Sequence, residues 1–261
     1  LFRSNKIVFR DEPAMQYAYQ KSEGTRYGEF YGYIAEGYFQ SEEEIKKSPR
    51  QMRELAPGDI KYKDLNDDGV IDANDQCYLG KSWFPSWSYG MGFNINYHNF
   101  DLALFFQGVS DVSIMANGGS IDTGNGDWGA SGVGIVPFTG MGLNPSNVIT
   151  KALDRWTADN PRADAWYPRM TANATTNDNN YVNSTHWLKD GSYLRLKQAS
   201  LGYTLENKKL MDKGIEYLYF YLSGQNLLTF SKFKLWDPEL GSNGAKYPLS
   251  RMVTLGMRVS F

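Results

Sequence analysis

The stretch that decides the fold is "SYGMGFNINYHNFDLALFFQG", residues 88–108. It contains two runs in which apolar residues alternate with small or polar ones, and this period of two is typical of β-strands. The apolar positions are Tyr89, Met91, Phe93, Ile95 and Tyr97, then Phe100, Leu102, Leu104 and Phe106. His98 and Asn99 separate the runs. The sequence therefore predicts two strands joined by a tight hairpin turn.

Three further segments continue the alternation. Residues 217–230 and 253–261 alternate in the same way, and the run over 193–204 changes face near Gln198, which predicts a β-bulge there. The positions opposite the apolar ones are mostly Gly, Asn, Ser, Gln and Tyr, whereas a soluble sandwich would place Lys, Glu and Thr in solvent. A strand between lipid and an aqueous lumen has this composition, so the sequence predicts an all-β transmembrane antiparallel barrel.

The connections between the predicted strands alternate in length. Residues 98–99 and 206–214 form short turns, whereas 110–192 and 231–249 form long loops. Short turns at one end and long extracellular loops at the other are typical of outer-membrane barrels. Within the long loop 110–192, "NPSNVITKALDRWT" predicts a short helix with Ser146 as its N-cap. Its apolar stripe holds Val148, Ile149, Ala152, Leu153 and Trp156.

Composition limits the other classes of function. The net charge of -2 and the absence of a basic cluster argue against binding to nucleic acid. The single cysteine, Cys77, excludes an internal disulfide. The first residues, "LFRSNKIVFR", carry no signal peptide, and we expect this chain to be the back part of a longer polypeptide. An aromatic content of 15% indicates a buried aromatic core or rings at a boundary between water and lipid.

Residues 57–76 contain a calcium-binding pattern, "DLNDDGVIDAND" from position 64. Six to eight oxygen ligands suit Ca²⁺, and alternate side chains of such a loop point at one centre while a glycine, here Gly69, bends the chain. The predicted ligands are the side chains of Asp64, Asn66, Asp68, Asp72 and Asp75 and the carbonyl of Val70. The alternative is a solvated turn rich in Asp and Asn. If the ion binds, we expect it to be structural and to hold "KSWFPSWSYG" (81–90) in register for the following strand.

Candidate substrate contacts come from the tryptophans, which lie in loops or at strand ends: Trp83, Trp87, Trp128, Trp156, Trp166, Trp187 and Trp236. They could stack on sugar rings. Alternatively, they could form an interfacial belt and small loop cores, and we favour this second interpretation. Trp128, among Gly, Asn and Asp, is the predicted substrate contact, and Trp156 is predicted to be core. His98, His186 and Cys77 have no sequence-local catalytic partners, so we expect no enzyme.

Several segments together resemble the SusC/RagA-type TonB-linked outer-membrane transporters of the Bacteroidetes. They are "YGEFYGYIAEGYFQSEEEI" (27–45), "PGDIKYKDLNDDGVIDANDQ" (57–76), "SYGMGFNINYHNFDLALFFQG" (88–108), "DRWTADNP" (154–161), "SYLRLKQASLGYTL" (192–205), "SGQNLLTFSKF" (223–233) and "MRVSF" (257–261). The resemblance implies that residues 1–261 are the C-terminal part of a barrel of about 22 strands. One departure is Asp67, where the family often has Gly.

The resemblance also implies location, partners and function. The protein would lie in the bacterial outer membrane, in contact with lipid, and import oligosaccharides or peptides. It would work with a SusD-like surface lipoprotein acting as a lid, with the plug and the remaining strands of the same transporter, and with TonB through its N-terminal part. The terminal Phe261 would face the periplasm, and residues 40–86 would be extracellular. A soluble, calcium-stabilised β-sandwich that binds glycans is the alternative.

Overall fold

A computed structural model of the chain describes residues 1–117, 150–170, 179–242, 244 and 247–261. Its main feature is one sheet of five antiparallel strands, β5 (Trp87–Tyr97), β6 (Phe100–Ser110), β9 (Tyr193–Leu205), β10 (Tyr217–Ser231) and β11 (Met252–Ser260). Their order across the sheet is β11-β10-β9-β6-β5. Each strand reaches the length of about 9–11 residues with which a tilted strand crosses a bilayer. Among the described residues no helix is long and apolar enough to span a membrane.

The register of the sheet follows the predicted alternation. β5 and β6 pair from Tyr97↔Phe100 to Trp87↔Ser110, and the turn between them has His98 at a φ of 51°. Gln198 pairs with Phe105 and Leu196 with Phe106, so β9 carries one extra residue between them. The bulge predicted near Gln198 is therefore confirmed, and it reverses the facing of the strand beyond this point.

The N-terminal residues extend the edge of this sheet. The amino group of Leu1 donates to the Ser88 carbonyl at 2.7 Å, and the Ser88 amide donates back to Leu1 at 2.9 Å. The ring of Phe2 lies 4.4 Å from that of Trp87, centroid to centroid. Because the rest of this edge of β5 has no partner strand within the described residues, the chain leaves the sheet open on that side.

Smaller sheets and short helices form the segments before and between these strands. β1 (Glu29–Gly32) pairs with β4 (Cys77–Ser82), β2 (Ala35–Tyr38) pairs with β3 (Ile60–Tyr62), and β7 (Ser113–Met115) pairs with β8 (Leu188–Asp190). The described α-helices are α1 (Glu42–Lys47) and α2 (Lys208–Met211), and 3₁₀ turns lie at Ala18–Gln20, Ala73–Asp75, Thr150–Leu153 and Pro238–Leu240. Ser41 caps α1 by accepting a hydrogen bond from the Glu44 amide.

These segments share an aromatic interior, which we call the loop core. It consists of Tyr33, Tyr38, Ile60, Tyr62, Ile71, Met115, Ala152, Trp156, Ala165, Tyr167 and Trp187. Trp187 is fully buried and packs against Tyr181 with ring centroids 5.3 Å apart. The loop core thus joins residues before β5 to residues between β6 and β9, and the regions that the sequence predicts as loops are folded around a common interior.

A buried ion pair fastens the loop core. Asp59 is fully buried, and its Oδ1 lies 2.6 Å from Nε of Arg169. The same oxygen accepts a hydrogen bond from Asn180 at 2.7 Å, and Oδ2 accepts one from the Ala56 amide. Since a buried charge is tolerated only when it is paired and hydrogen-bonded, this cluster fixes the segment around Asp59 against residues far along the chain.

The predicted helix over 144–157 is partly outside the described residues, including Ser146, Val148 and Ile149. In the described part, Ala152 and Trp156 are buried, as predicted. The prediction was wrong for Leu153, which is 76% exposed. Residues Thr150–Leu153 form a 3₁₀ turn, and its three residues per turn rotate Leu153 away from the stripe that an α-helix would present.

Candidate functional site

The outward face of the five-stranded sheet is apolar and uncovered. Its exposed side chains include Met91, Phe93, Ile95, Phe100, Leu201, Leu222, Leu228, Phe230, Leu255 and Met257. They come from all five strands and meet across the pairing register, for example Leu201↔Leu222↔Leu255. A sandwich would need a second sheet packed on this face, and no such sheet exists among the described residues. A band of this kind suits contact with lipid acyl chains.

The opposite face combines glycine with polar and tyrosine side chains. Tyr219 donates its hydroxyl to Oδ2 of Asp101 at 2.9 Å, and the guanidinium of Arg258 lies 6.0 Å from the Tyr219 ring centroid. Gly202 lies beneath this contact, and a Cβ there would overlap both Asp101 and the tyrosine hydroxyl. The aromatic side chains of this face therefore lie across glycines of neighbouring strands, which explains why small residues alternate with apolar ones in the sequence.

The predicted calcium loop folds as a tight, self-bonded turn. Oδ2 of Asp64 accepts a hydrogen bond from the Gly69 amide at 2.8 Å, and Oδ1 of Asp68 accepts one from the Val70 amide at 2.8 Å. Asn66 donates its side-chain amide to Oδ2 of Asp68. Gly69, with a φ of 81°, supplies the left-handed bend that the calcium pattern requires.

The C-terminal half of the loop is held by two further carboxylates. Asp75 is fully buried, and its two oxygens accept hydrogen bonds from the amides of Leu65 and Asp72. Oδ1 of Asp72 accepts from the Asn74 amide at 2.7 Å and caps the 3₁₀ turn Ala73–Asp75. These carboxylates thus bond to backbone N–H groups, and in the described part of the chain no three His, Cys, Asp or Glu side chains are grouped as metal ligands.

One oxygen of the loop is unsatisfied. Oδ1 of Asp64, at the first predicted ligand position, is buried and has no hydrogen-bond partner. An unpartnered buried carboxylate oxygen is costly, and a hard cation is the kind of group that would satisfy it. The predicted ligands Asp64, Asn66, Asp68, Val70, Asp72 and Asp75 thus lie on one bent loop whose donor chemistry fits Ca²⁺, although the carboxylates point to amides rather than to a common centre.

Neighbouring segments hold the loop in place. The backbone of Arg50 donates to the Gly69 carbonyl and accepts from the Ile71 amide, so one strand-like bridge fixes the end of the loop. Ile71 is buried in the loop core. On the other side, Tyr19 donates its hydroxyl to the Asn74 carbonyl at 2.8 Å. Ile71 therefore anchors the loop to an interior built from distant residues.

The tryptophans divide between the loop core and the surface. Trp156 and Trp187 are buried, whereas Trp83 and Trp87 are 40% and 50% exposed. The prediction that Trp156 is a core residue is confirmed. Trp128, the predicted substrate contact, lies outside the described residues.

The remaining titratable candidates have structural surroundings. Nε2 of His186 lies 3.3 Å from the Tyr38 hydroxyl and 3.2 Å from the Trp166 carbonyl. Burial, followed by the nearby charge of Lys189, lowers the pKa of His186 to about 4, so the imidazole is neutral at physiological pH. Burial raises the pKa of the Cys77 thiol, and its carboxylate neighbour Glu29 adds to that effect, so the reactive thiolate is disfavoured.

Sequence reasoning expected small loop cores, but it missed the loop core that residues 33–71 and 115–187 share, the Asp59–Arg169 pair and the grouping of Lys151, Lys189, Lys232 and Lys234. Residues 33–71 and 115–187 carry no common motif that would indicate their contact. Nothing local in the sequence indicates that Asn179 and Asn180, which are fully buried, lie in the interior.

An antiparallel sheet with a lipid-type outer face, a polar inner face and folded loops at one end defines the wall of a transmembrane β-barrel. No family model matches the sequence. The chain is 30% identical over 241 residues to TonB-dependent receptor P26 of Formosa agariphila and 28% identical over 255 residues to TonB-dependent receptor P3 of the same organism. These alignments cover 86% and 92% of this chain.

Solved structures agree with the sequence relatives. The RagAB peptide importer in its "open-open" state matches with a TM-score of 0.61 and 22% identity over 95% of this chain and 24% of that chain. The RagAB peptide transporter matches with a TM-score of 0.61 and 21% identity over 92% of this chain and 23% of that one. The resemblance to SusC/RagA-type TonB-linked transporters is therefore confirmed over most of the chain, and the fold fits the C-terminal portion of their barrel. The chain spans 22% of the length of the two receptors.

Proposed function

We propose that this chain forms part of the wall and surface loops of an outer-membrane importer that takes up oligosaccharides or peptides and performs no catalysis. The observation that carries the proposal is the sheet with an uncovered apolar outer face and a polar inner face, in a chain similar to TonB-dependent receptors. A plug, the remaining strands and a segment that contacts TonB would come from the rest of the same transporter.

The proposed orientation follows from the two ends of the sheet. The turns at 98–99 and 206–214 and the terminal Phe261 would face the periplasm. Residues 40–86, 110–192 and 231–249 would lie outside the cell. Two features support this: the turns at one end are short, and the segments at the other end are folded around the loop core.

A SusD-like surface lipoprotein is the proposed partner. The structural neighbours are structures of the RagAB peptide importer, and their likeness covers 95% of this chain. The loop core would give such a lipoprotein a rigid seat, since a pre-ordered surface loses little conformational entropy on binding.

The direct test is made on the full-length transporter with its genomic partner in the native host. We expect it in the outer-membrane fraction, with TonB-dependent uptake of a labelled oligosaccharide or peptide and co-purification of a lipoprotein in mild detergent. Recovery of the full-length protein from the soluble fraction without detergent would contradict the barrel. Uptake that persists without TonB would contradict energised import.

We further propose that residues 64–75 bind Ca²⁺ as a structural ion, supported by the unpartnered Oδ1 of Asp64 and the bend at Gly69. In the full-length protein, chelation of calcium should accelerate protease cleavage within this loop. At a free concentration of 100 times the Kd, the ion would stabilise the loop by about 2.7 kcal/mol.

A double variant Asp64→Ala/Asp68→Ala tests the ion directly. It should be cleaved at the same rate with and without calcium, whereas the matched variant Asp67→Asn, at a position that is no predicted ligand, should keep the calcium response. A wild-type loop whose cleavage rate does not depend on calcium would overturn the site.

A further inference from the structure

A cleft of about 790 Å³ lies between the loop core and the segment that follows β10. Four lysines line it, Lys151, Lys189, Lys232 and Lys234, and Trp166 and Phe233 form part of its wall. We call it the lysine cleft. Its volume lies within the range of about 300–1,000 Å³ typical of small-ligand pockets. The four lysines come from three separate segments of the chain, so the fold and not a local basic motif assembles them.

The two acidic residues of the cleft, Asp154 and Asp190, offset only part of the positive charge of the four lysines. Asp154 is ion-paired to Lys151 at 2.7 Å and also to Arg162. Oδ1 of Asp190 accepts a hydrogen bond from the Ser192 amide at 2.9 Å. Within the described residues, Lys189, Lys232 and Lys234 form no ion pair with any carboxylate, although Lys232 lies close enough to Asp190 for their charges to interact. The cleft therefore holds more ammonium than carboxylate groups, and Lys189 and Lys234 have no carboxylate partner among the described residues.

Lys189 is the most constrained of the three. Its Nζ donates to the His186 carbonyl at 2.6 Å and lies 5.1 Å from the Trp166 ring centroid. Burial, followed by the charge of Lys151, lowers the pKa of Lys189 to about 8, which leaves the ammonium mostly protonated at neutral pH. A partly buried cation without a counter-ion is costly, and an anion placed in the cleft would remove that cost.

We infer that the lysine cleft binds a carboxylate group of the imported ligand, and hence that the transporter prefers acidic oligosaccharides or acidic peptides. The inference rests on the proposed function, because an imported ligand must pass the loops that form the cleft. Lys189 would supply a fixed hydrogen-bond donor to the carboxylate beside the aromatic wall. Lys232 and Lys234 are both exposed and would attract the acidic ligand electrostatically at the mouth of the cleft. The carboxylate chemistry is common to uronic acids and to Glu or Asp peptides, so the probe set has to separate them.

The experiment measures binding to the purified full-length transporter, in detergent, by calorimetry. The probes are a tetragalacturonate and a tetraglutamate peptide, each compared with a neutral counterpart, a galactose tetramer and a tetraglutamine peptide. At least one acidic probe should bind about tenfold or more tightly than its neutral counterpart. The acidic probe that binds identifies which source of the carboxylate is the right one.

Variants connect the preference to the cleft. Lys189→Met should reduce affinity for the acidic probe about tenfold and leave the neutral probe unchanged, because a charge-assisted hydrogen bond is lost. Lys189→Arg should retain most of the preference. Lys209→Met, in α2 at the other end of the sheet, is the control and should have no effect. If Lys189→Met lowers the melting temperature of the protein, the double variant Lys232→Met/Lys234→Met replaces it in the test. This variant, at two exposed positions, should likewise reduce affinity for the acidic probe and leave affinity for the neutral probe unchanged.

Two results would overturn the inference. One is equal affinity for the acidic and neutral members of both probe pairs. The other is an acidic preference that survives in both the Lys189 and the Lys232/Lys234 variants. Failure of the proposed function is distinguishable, since it would appear as absence from the outer membrane or as loss of uptake, whereas failure of this inference leaves uptake intact and removes only the charge preference.

Discussion

Truncation of Trp187 should unfold the loop core and leave the barrel wall intact. The side chain is fully buried, and its ring contacts those of Trp166, Tyr167 and Tyr181 at centroid distances of 5.5, 5.7 and 5.3 Å. Its indole Nε1 donates to the Asn180 carbonyl at 2.7 Å. A large aromatic replaced by alanine in a core costs about 3–5 kcal/mol, which includes the lost transfer energy and the cavity left behind.

The assay is hydrogen exchange of the full-length protein in detergent, followed by mass spectrometry. A loss of about 4 kcal/mol corresponds to roughly a thousandfold increase in the opening equilibrium of the loop core. Amides that bond within it, such as Ala116 to the Trp187 carbonyl and Tyr33 to the Asn183 carbonyl, should exchange faster by that order. Peptides from β5 and β6 should be unchanged, because their hydrogen bonds lie within the sheet.

Trp83→Ala is the matched control. This tryptophan is 40% exposed and stacks mainly on Phe84, at a centroid distance of 3.7 Å, so its loss should cost under about 1 kcal/mol. The reasoning would be refuted by a change of less than threefold in the loop-core amides of Trp187→Ala. It would also be refuted by equal acceleration in the wall peptides, since the two parts would then unfold as one unit.

Three further predictions concern pH, backbone and orientation. Burial lowers the pKa of His186 to about 4, whereas the unfolded chain has a histidine pKa of about 6.5. Because the unfolded state therefore binds more protons, the free energy of unfolding of the loop core should fall by about 2 kcal/mol as pH falls from 7 to 5. His186→Gln should flatten this pH dependence in the same exchange assay. Gly58→Ala should destabilise the loop core by several kcal/mol, because φ is 92° and the new Cβ would overlap the Trp156 ring. Gly80→Ala is the control: its φ is 68° but the space around it is open, so this variant should cost only the backbone strain. Protease added to intact cells should spare residues 206–214, and cleavage there would contradict the proposed orientation.

Specific results would contradict the predictions for His186 and Gly58. A pH dependence that is the same in His186→Gln would assign the acid sensitivity to other groups. Equal costs for Gly58→Ala and Gly80→Ala would mean that the Trp156 ring can move aside, and that the close approach is not what requires glycine at this position.

The sequence by itself determined the barrel wall. Alternation in 88–108 fixes the strands β5 and β6, because side chains of a strand point to opposite faces and each face meets a different solvent. It also located the bulge near Gln198, since a change of facing along one strand requires an extra residue. The bend of the calcium-type loop was equally readable, because Gly69 and its flanking Asp residues act over a few neighbouring positions.

Only the tertiary structure decided how the long connections between the strands pack against one another. Ile71 lies in the calcium-type loop and Trp187 just before β8, yet both belong to the loop core, and no periodic pattern relates two single side chains so far apart along the chain. Lys189 and Lys234 likewise become neighbours in one cleft through the packing of separate segments. Strand pairing repeats at every second residue and leaves a trace in the sequence, whereas contacts between irregular segments depend on the path of the whole chain and leave none.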